Sequence, residues 1–197
     1  MIIAISRENG SGGSEIGHKL ADKLGIPCYD KTVTALTADI SGFAKDMVER
    51  AADKTPMAFD YSGYYYFYDA ANSEKWLPVY DQIYLAQSKA ILRLAARGDC
   101  VIVGRCAAHV LAERGVPAFS VFVHAPMEHR IERIMERHNL DKKSAIKYIR
   151  KNDKARANYH MKYAGTKWGL MQNYDMTISS AIGIDKCVDV ISTLVRN

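Results

Sequence analysis

The chain opens with a short apolar segment that runs directly into a glycine-rich turn. Residues 2–6 read Ile-Ile-Ala-Ile-Ser, residues 10–14 read Gly-Ser-Gly-Gly-Ser, and a helical pattern of apolar residues follows at once. A strand, a glycine-rich turn and a helix in this order point several backbone N–H groups into one concavity, which is where a phosphate group binds. The opening therefore predicts a phosphate-binding loop at the end of a first β-strand.

This loop departs from the common phosphate-binding pattern G-x-x-x-x-G-K-[ST]. Gly13 stands where the pattern has its lysine, Ser14 follows it, and the nearest cation is Arg7 on the other side of the loop. We expect the Ser14 hydroxyl to assist a Mg²⁺ ion. The phosphate would be held by backbone amides of the loop, those of Gly10, Ser11, Gly12, Gly13 and Ser14.

Short β-rich segments alternate with longer helical patterns along the chain, which is typical of βαβ units and a parallel sheet. The predicted strands are residues 2–6, 27–29, 100–103, 118–124 and 176–179. The predicted helices are residues 13–24, 32–52 with a break near 41–42, 79–97, 127–138, 142–163 and 184–196. Ligands of open parallel sheets bind at the carboxyl ends of the strands, so the functional site is expected there.

The composition favours one cytoplasmic, globular domain. The chain has 197 residues, 48% of them hydrophobic, which is enough to bury a core. No apolar run reaches the roughly 18 residues of a membrane helix, and no basic segment precedes the first apolar stretch as it would in a secretion signal. The four cysteines form no C-x-x-C pair, and we interpret them as buried, reduced thiols.

The charge pattern argues against a nucleic-acid partner. The net charge is +5, and the basic residues concentrate between positions 130 and 167 among many acidic ones, without a clear stripe of interleaved aromatics. Such a cluster suits a small polyanion such as a nucleotide.

Several segments resemble the cytidylate kinase-like proteins, a branch of the P-loop nucleoside-monophosphate kinases. The resemblance follows the family's order over nearly the whole chain. Its segments are residues 5–17, 20–27, 29–31, 101–107, 150–156 with Tyr159, and 174–180. The opening and the Val-Ile-Val-Gly-Arg segment at 101–105 are specific, and the match at 150–156 is moderate.

The resemblance implies a three-layer P-loop α/β fold, with a parallel five-stranded sheet between helices. It implies one domain over residues 1–197, whose nucleotide-binding core is residues 1–30, 98–126 and 172–197. An insertion at about 31–97 would bind the acceptor, and a helical lid would span about 127–171. The implied reaction is transfer of a phosphoryl group from ATP, with Mg²⁺, to a nucleoside monophosphate, CMP or dCMP by family habit.

Phosphoryl transfer needs cations around a transition state that is rich in anionic oxygen. Because the loop lysine is absent, the candidates for this role are arginines, which can bind phosphate in a bidentate manner: Arg7, Arg105, Arg150 and Arg156. Arg105 would grip the acceptor phosphate. On a straight helix, positions 150 and 156 would project about 120° apart, so they could share one phosphate only through a bend or converging side chains.

Two acidic residues have competing interpretations. Asp30 is expected either to contact the base or sugar of the acceptor or to cap the second helix. Asp153 is expected to pair with a neighbouring arginine rather than act as a base.

Two departures from the family pattern leave alternatives open. Val103 stands where relatives carry an aspartate that helps to place the metal, and the lid has fewer arginines than in a typical kinase. The alternatives are a P-loop kinase with another small-molecule acceptor and a catalytically weak, nucleotide-binding regulatory protein. A tyrosine-rich run, Tyr61–Tyr68, is a satellite core, a contact with a second copy of the chain or a surface for base stacking.

Overall fold

A parallel five-stranded sheet forms the centre of the molecule. The computed structural model describes residues 1–53 and 77–196, and the tyrosine-rich run at 61–68 lies outside these ranges. The strands are β1 (Ile2–Arg7), β2 (Cys28–Tyr29), β3 (Cys100–Val103), β4 (Phe119–His124) and β5 (Met176–Ser179). Their order across the sheet is β2-β3-β1-β4-β5, and every pair is parallel. The predicted strands and the predicted parallel sheet are confirmed.

Helices surround the sheet within the described residues. They are α1 (Gly13–Leu24), α2 (Lys31–Ser41), α3 (Lys45–Asp53), α4 (Val79–Ala95), α5 (Ala107–Glu113), α6 (Met127–His138), α7 (Lys142–Ala164) and α8 (Ile184–Val195). The predicted break near residue 42 is confirmed, since α2 ends at Ser41 and Gly42 adopts the left-handed conformation. Helix α5 was not predicted, because its seven residues are too few to show a clear apolar period.

Alternating residues of the strands face two apolar layers. Ile3 and Ile5 of β1 pack with α1 and α8, whereas Ala4 faces α2, α4 and α5 on the opposite side. Helix α1 is buried along the predicted stripe, which includes Ile16 and Leu20. The alternation follows from the two-residue period of a strand. Because both faces are covered by helices, the structure has three layers.

The chain leaves two neighbouring strands toward opposite faces of the sheet. Helix α1 follows β1 and packs in one apolar layer, while α5 follows β3 and packs in the other. Such a divergence opens a crevice at the carboxyl ends of the two strands, where ligands bind in folds of this kind.

Helices α6 and α7 form a helical arm with a small apolar core of its own. Asn139, in the left-handed conformation, ends α6, and the carboxylate of Asp141 caps α7 by accepting the Ser144 N–H at 2.7 Å. The side chains of Ile134 and Ile149 are buried between the two helices. Helix α7 runs without interruption for 23 residues.

Helix α7 also packs on α4 through tyrosines. The rings of Tyr84 and Tyr163 stack with centroids 3.9 Å apart, and the Tyr163 hydroxyl donates to the Asp81 carboxylate at 2.8 Å. This contact joins the arm to the helix that leads into β3. No helix in the described ranges combines the length and apolar character that crossing a bilayer requires.

Candidate active site

A cavity of about 290 Å³ lies at the carboxyl ends of β1, β2 and β3. Charged side chains reach it from the sheet and from the surrounding helices, and they are Arg7, Asp30, Lys31, Glu49, Arg105 and Arg156. Four of these six side chains are cationic, and low-dielectric walls concentrate the field of such a group. The cavity therefore suits a small anion.

Arg7, the last residue of β1, lies against two glycines. A Cβ atom at Gly13 would overlap Cβ and Cγ of Arg7, and a Cβ atom at Gly104 would overlap the Arg7 guanidinium group. Neither position accepts a side chain while Arg7 holds this place. The glycine at the lysine position of the phosphate loop is thus explained by packing, since it leaves room for an arginine from the preceding strand.

The guanidinium of Arg7 lies in a crowded positive environment. Its side chain is 19% exposed, and its nearest acidic group is Asp30, with Nη2 4.0 Å from Oδ1. Burial, and then the charge of Arg156, lower the pKa of Arg7 to about 9, with Arg105 acting in the same direction and Asp30 opposing them. An anion bound in the cavity would offset this repulsion.

Arg105 has a strained backbone next to the cavity. Its φ angle is 58° and that of Cys106 is 53°, values that residues other than glycine rarely adopt. The strain is held in place by Gln87, a buried side chain of α4, whose Nε2 donates to the Arg105 carbonyl at 3.0 Å and to the Tyr159 hydroxyl at 2.7 Å. Such strain is frequent at functional sites, where the surroundings fix an otherwise costly geometry.

The guanidinium of Arg105 is only partly engaged by the protein. Its Nη2 donates to Thr34 Oγ1 at 3.0 Å, whereas its Nη1 is buried and has no hydrogen-bond partner among the described residues. A buried donor without a partner costs about 1–3 kcal/mol. Because Arg105 also lines the cavity, a small movement of its guanidinium group would bring this donor to a ligand oxygen.

The structure separates the two arginines that the sequence places on the lid. Arg156 lines the cavity, and its Nη1 donates to the Arg7 carbonyl at 3.0 Å. Arg150 is exposed on the same helix and is not among the residues that line the cavity. The uninterrupted α7 is consistent with the expected divergence of the two positions. The catalytic role of Arg150 stays a prediction.

The phosphate loop keeps its amides available at the start of α1. Gly10 and Gly12 have φ angles of 81° and 80°, and Gly12, the N-cap residue of α1, has no side chain to cap the helix. Helices leave their first amides without an internal partner, so this end provides donors for an anion. Ser11 is the exception in the loop, because its amide and its hydroxyl both donate to the Glu8 carbonyl, at 3.3 and 3.0 Å.

Ser14 and Asp30 meet at the base of the loop, where the Ser14 hydroxyl donates to Asp30 Oδ2. Asp30 occupies the N-cap position of α2, as one of its two interpretations predicted, but its side chain makes no capping hydrogen bond. The described residues contain no cluster of three or more metal-binding side chains. Ser14 and Asp30 together offer two oxygen ligands. Nucleotide phosphates and water would have to complete the coordination of a Mg²⁺ ion held there.

Cys106 and His160 also line the cavity, with Sγ and Nδ1 3.7 Å apart. Burial raises the pKa of the Cys106 thiol to about 12, so the thiol is protonated at neutral pH and is a poor nucleophile. The cysteines at 28, 100, 106 and 187 are all free, as predicted, but only those at 100 and 187 are buried, whereas those at 28 and 106 are half-buried.

Sequence reasoning missed Thr34 and Gln87. Thr34 had no distinguishing signal, because it is one of several small polar residues on α2. Gln87 had one: with Ile83 and Ile91 it occupies a single apolar stripe of α4 at intervals of four residues. A side-chain amide in such a stripe is buried and needs hydrogen-bond partners, which indicates that it positions neighbouring groups.

The fold and the site together define a class of protein. A glycine-rich phosphate loop follows the central strand of a parallel sheet, and an arginine-lined cavity lies at the adjacent strand end. These are the features of a P-loop kinase. The chain belongs to the cytidylate kinase-like family, whose sequence pattern matches residues 2–182.

Individual relatives agree with this assignment. A cytidylate kinase from Methanocaldococcus jannaschii is 27% identical over 108 residues, which are 54% of this chain and 61% of that relative. The match therefore spans less than two thirds of the relative's length.

Solved structures agree with the fold. A protein from Eubacterium ventriosum, described as uncharacterized, is 28% identical with a TM-score of 0.71, covering 100% of this chain and 99% of its own. A shikimate kinase from Bacteroides thetaiotaomicron is 10% identical with a TM-score of 0.56 and the same coverage, which shows a shared fold alone.

Proposed function

We propose that this protein transfers the γ-phosphoryl group of ATP to a nucleoside monophosphate, with CMP or dCMP as the preferred acceptor. The observation that carries the proposal is the convergence of Arg7, Arg105 and Arg156 on one cavity beside the phosphate loop. The choice of acceptor rests on the family and on the printed name of the Methanocaldococcus relative.

The phosphate loop binds ATP through its backbone. The amides at the start of α1 donate to the β-phosphate, and the helix dipole adds roughly half a positive charge at this end. The N-cap residue, Gly12, has no side chain that could compete with the nucleotide for these amides.

The acceptor phosphate binds in the cavity. Arg105 offers its buried Nη1 to a phosphate oxygen, while Thr34 fixes the plane of the guanidinium group through Nη2. An oxygen of the acceptor phosphate attacks the γ-phosphorus, the bond to the β–γ bridging oxygen breaks, and ADP leaves. Arg7 and Arg156 stabilise the negative charge that spreads over the transferring group, because arginine binds phosphate oxygens in pairs.

Asp30 and Ser14 are the residues that would hold Mg²⁺, directly or through water. When bound, the ion neutralises charge on the nucleotide's phosphate oxygens. The Asp30 carboxylate also orients the Arg7 guanidinium and lies at the edge of the acceptor cavity.

A coupled assay of ADP release tests the proposal, with Mg-ATP against a panel of nucleoside monophosphates. We expect turnover with CMP or dCMP. The Arg105→Ala and Arg156→Ala variants should each lose on the order of 100-fold in kcat/KM, because each removes a donor to a charged oxygen. Lys154→Ala is the matched control, since Lys154 is exposed on α7 and does not line the cavity; it should retain full activity.

A catalytically weak, nucleotide-binding regulatory protein is the second candidate. It is favoured by Gly13 in place of the loop lysine and by the engagement of Ser14 with Asp30. ATP binding without turnover on any acceptor would select this candidate. Turnover only with a non-nucleotide acceptor would instead select a small-molecule kinase of the same fold.

A further inference from the structure

A second charged cluster lies outside the cavity and joins the helical arm to the phosphate loop. Its centre is Arg130 of α6, whose side chain is 5% exposed. The guanidinium donates through Nε to the Asn9 carbonyl at 2.8 Å and pairs through Nη1 with Glu8 Oε1 at 3.0 Å. Its Nη2 pairs with Asp153 of α7. The expectation that Asp153 pairs with an arginine is confirmed, although the partner lies on the other helix of the arm.

Asp153 makes a second contact, and this one is with the backbone of the loop. While its Oδ2 accepts from Arg130, its Oδ1 accepts the Asn9 N–H at 2.8 Å. The peptide groups on both sides of Asn9 are therefore held by the arm, one through its N–H and the other through its carbonyl.

Helix α7 holds the loop at a second point. Arg156, three residues after Asp153 and on the same face of the helix, donates to the Arg7 carbonyl at 3.0 Å. Helix α7 thus binds the backbone that leads into the loop at two points, Arg7 at the end of β1 and Asn9. The same helix supplies Arg156 to the cavity.

Two further contacts fix the loop, one with the sheet and one with helix α6 of the arm. Glu8 accepts the Ala125 N–H at 3.1 Å after β4. A Cβ atom at Gly10 would lie 2.8 Å from the Arg130 carbonyl oxygen, so the loop is in direct contact with α6. The loop geometry therefore depends on where the arm is docked.

Movement of the arm away from the loop would break both ion pairs of the cluster. Arg130, Glu8 and Asp153 are largely buried, and the loss of either pair would leave one carboxylate without its arginine, which is unfavourable. The cluster therefore favours the docked position of the arm. Two ligands that both favour the docked state would strengthen each other's binding.

We propose that Asp153 is a positioning residue that couples acceptor binding to the geometry of the phosphate loop. A monophosphate that engages Arg156 stabilises the docked arm, and the docked arm holds the loop amides in position for ATP. The inference rests on the proposed kinase function, because it requires both ligands to bind at the sites described above.

Isothermal titration calorimetry tests the coupling with a non-hydrolysable ATP analogue and CMP, each alone and each in the presence of the other. In the wild-type protein we expect each ligand to tighten the other by about 5- to 150-fold, the usual range for coupled sites. In Asp153→Asn the factor should fall close to 1, because the arm no longer holds the Asn9 amide through a carboxylate, while CMP alone should still bind, because Asp153 does not line the cavity. Lys154→Ala should keep the wild-type factor.

The outcomes separate this inference from the kinase proposal. If both ligands bind the wild type without mutual effect, or if Asp153→Asn keeps the full factor, the coupling is overturned while the kinase proposal stands. If neither ligand binds the wild type, both proposals are overturned.

Hydrogen exchange on the wild-type protein tests the same coupling if Asp153→Asn fails to fold. CMP alone should slow exchange of the Asn9 amide, which donates to Asp153. Unchanged exchange at saturating CMP would overturn the coupling.

Discussion

The side chain of Arg7 takes the space that a lysine at position 13 would need. A Cβ atom at Gly13 would overlap the Arg7 stem and would lie 3.2 Å from Val123 Cβ, while Gly104 leaves room for the guanidinium group. The cation beside the phosphate loop therefore comes from the strand before the loop rather than from the helix after it. A positive charge is thus kept near the loop, but it comes from the opposite direction along the chain.

Restoring the lysine alone should damage the protein. Gly13→Lys is expected to lower the free energy of unfolding by about 1–3 kcal/mol, because it overfills a packed site. Chemical denaturation measures this change. The double variant Arg7→Gly/Gly13→Lys should lose less stability than the sum of its single variants, since residues in contact are not additive. A stable and fully active Gly13→Lys single variant would refute the packing argument.

At the scale of elements, the arm is fixed to α4 by aromatic packing and by one buried amide. Tyr84 and Tyr163 stack in nearly parallel planes, 5° apart, and Tyr159 of the arm accepts a hydrogen bond from Gln87. Helix α4 leads into β3 and so toward Arg105. The arm and Arg105 are therefore both positioned by the same helix.

A double-mutant cycle should detect the tyrosine contact. With Tyr84→Leu and Tyr163→Leu, the coupling energy in unfolding experiments should be about 0.5–1.5 kcal/mol in favour of the aromatic pair. Tyr163→Phe is the matched control, because it keeps the ring and removes the hydroxyl that bonds to Asp81. It should retain the coupling with Tyr84. A coupling energy near zero would show that the stacked rings contribute little to docking.

Elements with a clear apolar period were predicted well. Helices α1 and α6 have the predicted bounds. Each carries an unbroken apolar stripe and ends at a residue in the left-handed conformation, Gly25 and Asn139 respectively. Helix α5 was missed because it is short and begins in the strained Arg105–Cys106 turn. Local periodicity reports burial over several turns and carries little information about a single turn.

At the scale of the whole molecule, the fold brings several cationic side chains to the wall of one cavity. Among the described residues that line it, Arg7, Arg105 and Arg156 are accompanied by the acidic residues Asp30 and Glu49. Burial, and then the charge of Arg156, lower the pKa of Arg7, so the charged form of Arg7 is disfavoured in the folded protein.

Replacing Arg7 by methionine should separate the effect of this charge on stability from its effect on ligand binding. Arg7→Met keeps much of the side-chain volume and removes the charge, so the ligand-free protein should be as stable as the wild type or more stable by up to about 1 kcal/mol. At 100 times the wild-type Kd, an ATP analogue should stabilise the wild type by about 2.7 kcal/mol and the variant far less. Unfolding with and without the analogue measures both quantities.

The control for this comparison removes a charge outside the cavity. Lys151 is exposed on α7. The Lys151→Met variant should therefore be stabilised by the analogue as the wild type is. A large loss of ligand-free stability in Arg7→Met, with the response to the analogue intact, would contradict the proposed role of Arg7.

The sequence by itself determined the succession of strands and helices along the chain and the position of the phosphate loop. It also determined the family and the arginines that are candidates for binding phosphate. These features depend on residues close together in the chain, where periodicity and turn chemistry act. Only the tertiary structure decided that Arg7 fills the place beside Gly13 and Gly104 and that Asp153 holds the Asn9 amide, 144 residues away. Such contacts follow from the order of strands in the sheet and from the docking of the arm, which no local pattern encodes.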